Sequence, residues 1–151
     1  MSNIETFDDL PENYDLRLTN LLDEAIPHDV IVSFYYVAVS KNPSNNYRWE
    51  LHRDGRLYIT RHSGKNPSFE ITFDKPLPKK PTKILSKDKI SALYKRFEET
   101  KFFEQPKFRK VFVQGGSYVI LRVRRNNSLY EVVYENVESP LIDYLYSITE
   151  K

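Results

Sequence analysis

The chain has 151 residues, a net charge of +2 and no cysteine, with 40% hydrophobic and 29% charged residues. This length suits a single domain over residues 1–151, and the apolar content excludes a chain that is disordered throughout. The absence of cysteine excludes disulfides, thiolate metal sites and cysteine nucleophiles. The acidic N-terminal segment lacks the apolar core of a secretory signal, and the longest apolar run is too short to span a membrane as a helix. We therefore expect a soluble cytoplasmic protein.

Charge is divided unevenly along the chain. Residues 1–30 carry a net charge of −7, and residues 75–110 carry a net charge of +8. The basic segment is either a binding face or a surface covered by the acidic N-terminal segment. We favour the second interpretation, because both segments belong to one small domain.

The first elements in chain order are an irregular acidic head over residues 1–14 and a short helix over residues 15–26. Pro27 ends this helix. Its apolar residues at helical spacing are Leu18, Leu21, Leu22 and Ala25. The segment VIVSFYYVAVS follows as a strand rich in β-branched and aromatic residues, which is typical of a central strand buried on both faces.

A hairpin is predicted around Asp54-Gly55 in YRWELHRDGRLYITRH. A three-residue loop, Arg53-Asp54-Gly55 with positive φ at Gly55, pairs Leu51 with Leu57 and Trp49 with Ile59. This register collects the apolar side chains on one face, whereas a slip of one residue mixes the faces. The other face then carries Glu50, His52, Arg56 and Tyr58.

A strand, an extended segment and a helix are predicted for the middle of the chain. SFEITF is the strand, with Phe69, Ile71 and Phe73 on one side, and DKPLPKKPTK is the proline-rich extended segment. Ser86 caps a helix that ends near a phenylalanine pair. The inward residues of the helix are Ile90, Leu93, Tyr94 and Phe97. The phenylalanine pair is Phe102 and Phe103.

The segment QGGSYVILRVRR predicts a turn that leads into a strand. Gly115-Gly116 fits a tight turn between KVFV and SYVILRVRR, and Asn126-Asn127 fits a second turn before LYEVVYE. A two-residue loop at Asn126-Asn127 places Arg122 across from Glu131. The apolar face of this hairpin pairs Val123 with Tyr130, Leu121 with Val132 and Val119 with Tyr134.

The last helix begins with Ser139 as its cap and Pro140 as its first residue. Its inward residues are Leu141, Ile142, Leu145 and Ile148. Together these elements predict an α+β fold over residues 15–148. We expect a single, mainly antiparallel sheet of about six or seven strands, with helices packed chiefly on one face.

No motif for chemistry is complete in this sequence. Gly115-Gly116 precedes a strand and not a helix, so these glycines do not form the usual phosphate cradle. The histidines lack metal-binding spacing, and no single segment contains both a nucleophile and a base. We therefore expect no catalytic residues, no metal and no cofactor, although a catalytic site scattered along the chain stays an alternative.

Three segments resemble a family of small bacterial α+β domains of unknown function: RWELHRDGRLYITRH, KISALYKRFEETKFFEQP and the YVILRVRR–LYEVVYE hairpin. The resemblance covers about residues 30–148 and implies this order of elements, with no established catalytic residues. Family members often carry a cysteine near the first strand. This chain departs from that pattern, which removes any thiol-based role.

Protein binding is the function that we expect first, in the manner of a non-catalytic inhibitor or immunity protein. The predicted contact residues lie on the outward face of the first hairpin and favour interfaces by their amphipathic character. They are Arg48, Glu50, His52, Arg56 and Tyr58. Nucleic-acid binding is the alternative, through the basic middle segment and a strip on the sheet formed by Tyr118, Arg122 and Arg124.

Overall fold

The computed structural model describes residues 5–7, 25–38, 47–61, 77–110, 117–135, 137 and 139–149, and these form one eight-stranded sheet with two α-helices. The strands are β1 (Glu5–Phe7), β2 (Val30–Ala38), β3 (Tyr47–His52), β4 (Arg56–Arg61), β5 (Lys83–Ile84), β6 (Phe108–Lys110), β7 (Ser117–Arg125) and β8 (Ser128–Glu135). The helices are α1 (Lys87–Glu99) and α2 (Pro140–Thr149), with a 3₁₀ turn at Phe102–Glu104.

The strand order is β1-β6-β8-β7-β2-β3-β4-β5. Every neighbouring pair is antiparallel except β6 and β8, which are parallel. The predicted single, mainly antiparallel sheet is therefore confirmed. No helix in the described part of the chain has the length and apolar character needed to cross a membrane.

The first hairpin has the predicted register. Trp49 lies opposite Ile59, Leu51 lies opposite Leu57, and the N–H of Gly55 donates to the carbonyl of His52. Gly55 has φ +98°, a conformation that L-residues with a side chain rarely adopt. The pattern of apolar residues and the position of the glycine together predicted this register correctly.

The β7–β8 hairpin also has the predicted register. Arg122 lies opposite Glu131, and the pair Arg125–Ser128 closes a two-residue loop. Asn126 has φ +58°, which Asn tolerates better than most residues. The three apolar pairs predicted on the helix-side face are present as well.

The predicted pairing of KVFV with SYVILRVRR is wrong. β7 has two edges, and over its length β2 occupies one and β8 occupies the other. The strand that precedes the glycine pair, β6, lies beyond β8 and runs parallel to it. Because β8 lies between β6 and β7, β6 is not the hairpin partner of β7.

Both helices pack on the same face of the sheet, as predicted. Leu93 and Phe97 of α1 and Leu145 of α2 are fully buried in one cluster with the stacked rings of Phe34 and Trp49. The side chain of Ser86 accepts a hydrogen bond from the N–H of Lys89 and caps α1. Ser139 caps α2 in the same way through the N–H of Ile142.

Several predictions fall outside the described residues. They are most of the head, most of the helix over residues 15–26, the strand over residues 68–73 and the Gly115-Gly116 turn. The prediction that the head is irregular is wrong for residues 5–7, which form strand β1. Ala25 and Ile26, the described end of that predicted helix, are in neither a helix nor a strand.

Gly55→Ala is expected to lower the free energy of unfolding by about 2 kcal/mol or more. The new Cβ adds strain at positive φ and collides with the carbonyl oxygen of Leu85, which is main chain and cannot turn away. Urea unfolding measures the change. Asn126→Gly is the matched control at the other positive-φ turn and is expected to change stability by less than about 0.5 kcal/mol. Equal stability of Gly55→Ala and the wild type would contradict this account.

Candidate functional site

The face of the sheet opposite the helices is buried, which corrects the expectation of a solvated surface there. Tyr58 is only 8% exposed, Tyr118 only 7% and Arg122 only 2%. Their neighbours Tyr35 and Ile120 are equally buried. Tyr58, Tyr118 and Arg122 are therefore parts of the folded interior and do not form a contact surface.

The guanidinium of Arg122 is buried in this interior and forms an ion pair there. Its Nε donates to Oε2 of Glu131 at 2.6 Å, and Glu131 is largely buried as well. Lys107 approaches the other oxygen of Glu131 at 3.8 Å. A buried guanidinium is tolerated only when it is paired and hydrogen-bonded, so this arginine depends on Glu131 within the fold and is not available to a phosphate.

Arg124 is half-buried and also has a structural partner. β2 contains an irregularity between Val30 and Val32, and its pairing with β7 begins only at Val32. The Nε of Arg124 donates to the carbonyl of Val30 at 3.2 Å. The side chain thus satisfies a backbone acceptor that the sheet leaves unpaired. The predicted nucleic-acid strip of Tyr118, Arg122 and Arg124 is not an exposed surface.

The predicted protein-contact residues differ in their exposure. Arg48 and Glu50 are half-buried, and Arg48 donates to the hydroxyl of the buried Tyr35 at 3.3 Å. Glu50 lies directly opposite Tyr58. At the end of the hairpin Arg56 is exposed, whereas His52 is half-buried, like Arg48 and Glu50. Arg56 therefore offers a partner the most exposed side chain of the five.

The hairpin end is ordered by its own charges. The guanidinium of Arg56 forms an ion pair with Asp54 at 2.7 Å and donates to the hydroxyl of Tyr58 at 3.2 Å. The Asp54 carboxylate also accepts the backbone N–H of Arg56, and these hydrogen bonds lower the pKa of Asp54. An open pocket of about 370 Å³ lies beside this pair, lined by Asp29, His52, Arg53, Asp54 and Arg56.

The surroundings of His52 favour its neutral form. Burial of the imidazole, followed by the positive charge of Arg56, lowers the pKa of His52 from its ordinary value of 6.5. Its ring packs against that of Tyr58 at 4.9 Å, and Nδ1 is buried with no hydrogen-bond partner among the described residues. Protonation therefore works against the packing at the hairpin end.

The basic segment is exposed at most of its lysines between residues 79 and 95, whereas its end, β6, pairs with β1, the described part of the acidic head. Five lysines of residues 77–96 are solvent-exposed, and none forms an ion pair with a carboxylate of the described residues. They are Lys79, Lys80, Lys87, Lys89 and Lys95. A positive surface thus runs from the proline-rich segment onto α1.

The sequence did not identify Ile84, which is 70% exposed. It lies in the two-residue strand β5, directly opposite Arg56, at the end of the described sheet. A proline-rich segment with lysines suggested only an extended crossing. The sequence feature that indicates an exposed apolar residue here is the pair Ile84-Leu85 before the Ser86 cap. Alternation in a strand places one of these two side chains on the outside.

The described residues offer no metal site, since no three of their His, Asp or Glu side chains lie close enough together to hold an ion. The pocket at the hairpin end is open, and its Asp54 and Arg56 neutralise each other. The pairing with Arg56 lowers the pKa of Asp54, which makes this carboxylate a weak base.

Glu131→Gln is expected to lower the free energy of unfolding by about 2 kcal/mol, because it removes a carboxylate charge from the buried Arg122. Glu98→Gln is the matched control. Glu98 pairs with Arg125 at 3.0 Å on the surface, where such pairs contribute less than about 1 kcal/mol. Chemical denaturation of both variants measures the difference, and equal losses would contradict the structural role of Arg122.

The free energy of unfolding is expected to fall as the pH drops through about 6.5, the unfolded value for His52, toward the lowered pKa of the folded state. In that range the unfolded chain binds more protons than the folded chain. His52→Gln removes this contribution, so its stability declines less steeply. Urea titrations at several pH values measure the slopes, and NMR titration of the imidazole gives the pKa. Identical slopes for both proteins would rule out this role.

Comparison with known proteins finds no matching family model and no matching curated protein. The resemblance to small bacterial α+β domains therefore stays a prediction.

Proposed function

We propose that this chain is a non-catalytic, cytoplasmic protein-binding module, of the kind represented by small inhibitor and immunity proteins. Its contact surface is the sheet edge formed by the end of the first hairpin and β5. We call this surface the hairpin edge and define it by His52, Arg53, Arg56, Ile84 and Lys87. The observation that carries the proposal is the 70% exposure of Ile84 on this edge.

The composition of the hairpin edge supports this role. Protein interfaces typically place an apolar residue at the centre and charged or polar residues at the rim. Ile84 is the apolar residue here, Arg56 lies directly opposite it in the ladder, and the exposed Lys87 begins the next helix. An exposed isoleucine surrounded by basic side chains fits a contact with another protein.

The rigidity of this edge also supports binding. The N–H of Leu85 donates to the carbonyl of Gly55 at 2.8 Å, and the N–H of Thr82 donates to Leu57 at 2.8 Å. These bonds fix both ends of β5 against β4, so Ile84 is presented from ordered backbone. A preorganised surface loses little conformational entropy when it binds.

Nucleic-acid binding remains the second candidate because of the exposed lysines of the middle segment. These charges suit a phosphate backbone in general. The predicted stacking residue Tyr118 is buried, however, and the two predicted arginines have structural partners. Ile84 also has no part in phosphate recognition. We therefore favour a protein partner.

Ile84→Arg is expected to abolish capture of the partner from native extract, because it places a charge at the apolar centre of the hairpin edge. Leu129→Arg is the matched control. Leu129 is 44% exposed on β8, five strand positions or roughly 24 Å from β5. Affinity purification with quantitative mass spectrometry compares both variants with the wild type. If the wild type and Ile84→Arg retain the same proteins equally, the hairpin edge is not the contact surface.

A further inference from the structure

We infer that the partner contributes an acidic, extended segment that lies along β5 and inserts one apolar side chain between the two helices. This inference rests on the proposed function and specifies the chemistry of the partner. Three features of the hairpin edge and its neighbourhood carry it: a groove, a charge excess and an open strand edge.

The groove lies where β5, α1 and α2 meet. It has a volume of about 210 Å³, and its lining includes Leu85, Ala92 and Ile148 together with the ring of Tyr144. A cavity of roughly 150 Å³ holds a benzene ring, so this groove admits one large apolar side chain. Lys83 and Leu85 line this groove, and Ile84 between them faces the other side of β5, so an extended segment along β5 can contact both through alternate side chains.

The charge around the groove is strongly positive. Residues 77–96 contain seven Lys or Arg residues and one acidic residue, Asp88. Lys83 and Lys89 line the groove itself, and Lys83 donates to the carbonyl of Ile148 at 3.0 Å. That hydrogen bond holds the ammonium group at the rim and caps the end of α2. Carboxylates on both sides of an apolar anchor complement this arrangement.

The edge of β5 can pair with an extended chain. Leu85 donates to Gly55 on one side of the Arg56–Ile84 pair, so the peptide groups of Ile84 itself point away from β4. β5 is the last strand of the sheet in the described residues. Addition of a strand to such an edge is a recurring mode of peptide recognition. Since β5 has only two residues, the anchor and the charges must supply most of the affinity.

The same features favour a protein segment over a nucleic acid. A nucleic acid has no peptide groups to pair with Ile84 and no aliphatic side chain to fill the groove. The ring of Tyr144 lies beneath the guanidinium of Arg96 at 4.8 Å, so this face of the ring is not free to stack on a base.

Fluorescence anisotropy with labelled synthetic peptides tests the inference. The probe is Glu-Glu-Val-Leu-Val-Glu-Glu, and its matched controls carry Lys for Glu, or Gly for Leu. We expect the acidic peptide to bind at least about tenfold more tightly than either control, and its affinity to fall as salt rises from about 50 to about 200 mM. Equal binding of the three peptides, or no binding of the acidic one, would overturn the inference.

Two protein variants locate the site. Ala92→Glu introduces a negative charge and extra volume into the groove. We expect it to weaken binding of the acidic peptide at least about tenfold. Ser91→Glu makes the same charge change at the neighbouring exposed position, which does not line the groove. It is expected to weaken binding no more than about threefold. Equal effects of the two variants would show that the groove takes no anchor.

Further outcomes separate this inference from the proposed function. If an oligothymidine displaces the acidic peptide from the wild type, the edge is a nucleic-acid site and the inference is wrong. If Ala92→Glu still captures the partner that Ile84→Arg loses, the protein-binding function stands and the acidic-anchor inference fails. If Ile84→Arg has no effect on capture, the proposed function fails regardless of the peptide result.

Discussion

The hydrogen bond from the N–H of Leu85 to the carbonyl of Gly55 positions the part of this protein that we assign to function. It requires a close approach of two backbones, and only a residue without a Cβ permits that approach. The bond fixes β5 against the first hairpin, and Ser86 begins α1 immediately afterwards. One glycine thus sets the hairpin turn, the edge strand and the start of the basic helix.

Burial on both faces explains why the candidate surface lies at an edge of the sheet. The helices cover one face, and on the other face Tyr35, Ile120 and Val133 are as buried as a core. A polar side chain on that second face must find a partner within the fold, as Arg122 does with Glu131. Surface for recognition therefore remains at the loop ends and at the outermost strands.

Much of the fold could be predicted because its determinants are local. Gly55 and Asn126 specify tight turns, and alternation then decides which residues face each other, so both hairpin registers were correct. The position of β6 was not predictable in the same way, since the order of strands depends on contacts distant in sequence. The prediction that Tyr58 is exposed was wrong for a related reason. Alternation along a strand shows which residues share a face of the sheet, but it does not show that the second face is also buried.

The lysines around β5 also bear on which partner this edge selects. Lysine at a sheet edge commonly prevents pairing with a second copy of the same edge, because like charges repel. Lys83 and Lys87 flank the exposed Ile84, so two copies of this edge would bring four ammonium groups together. An acidic segment meets no such barrier, and its carboxylates gain from the same charges. The residues that discourage self-association at this edge therefore favour a heterotypic acidic partner.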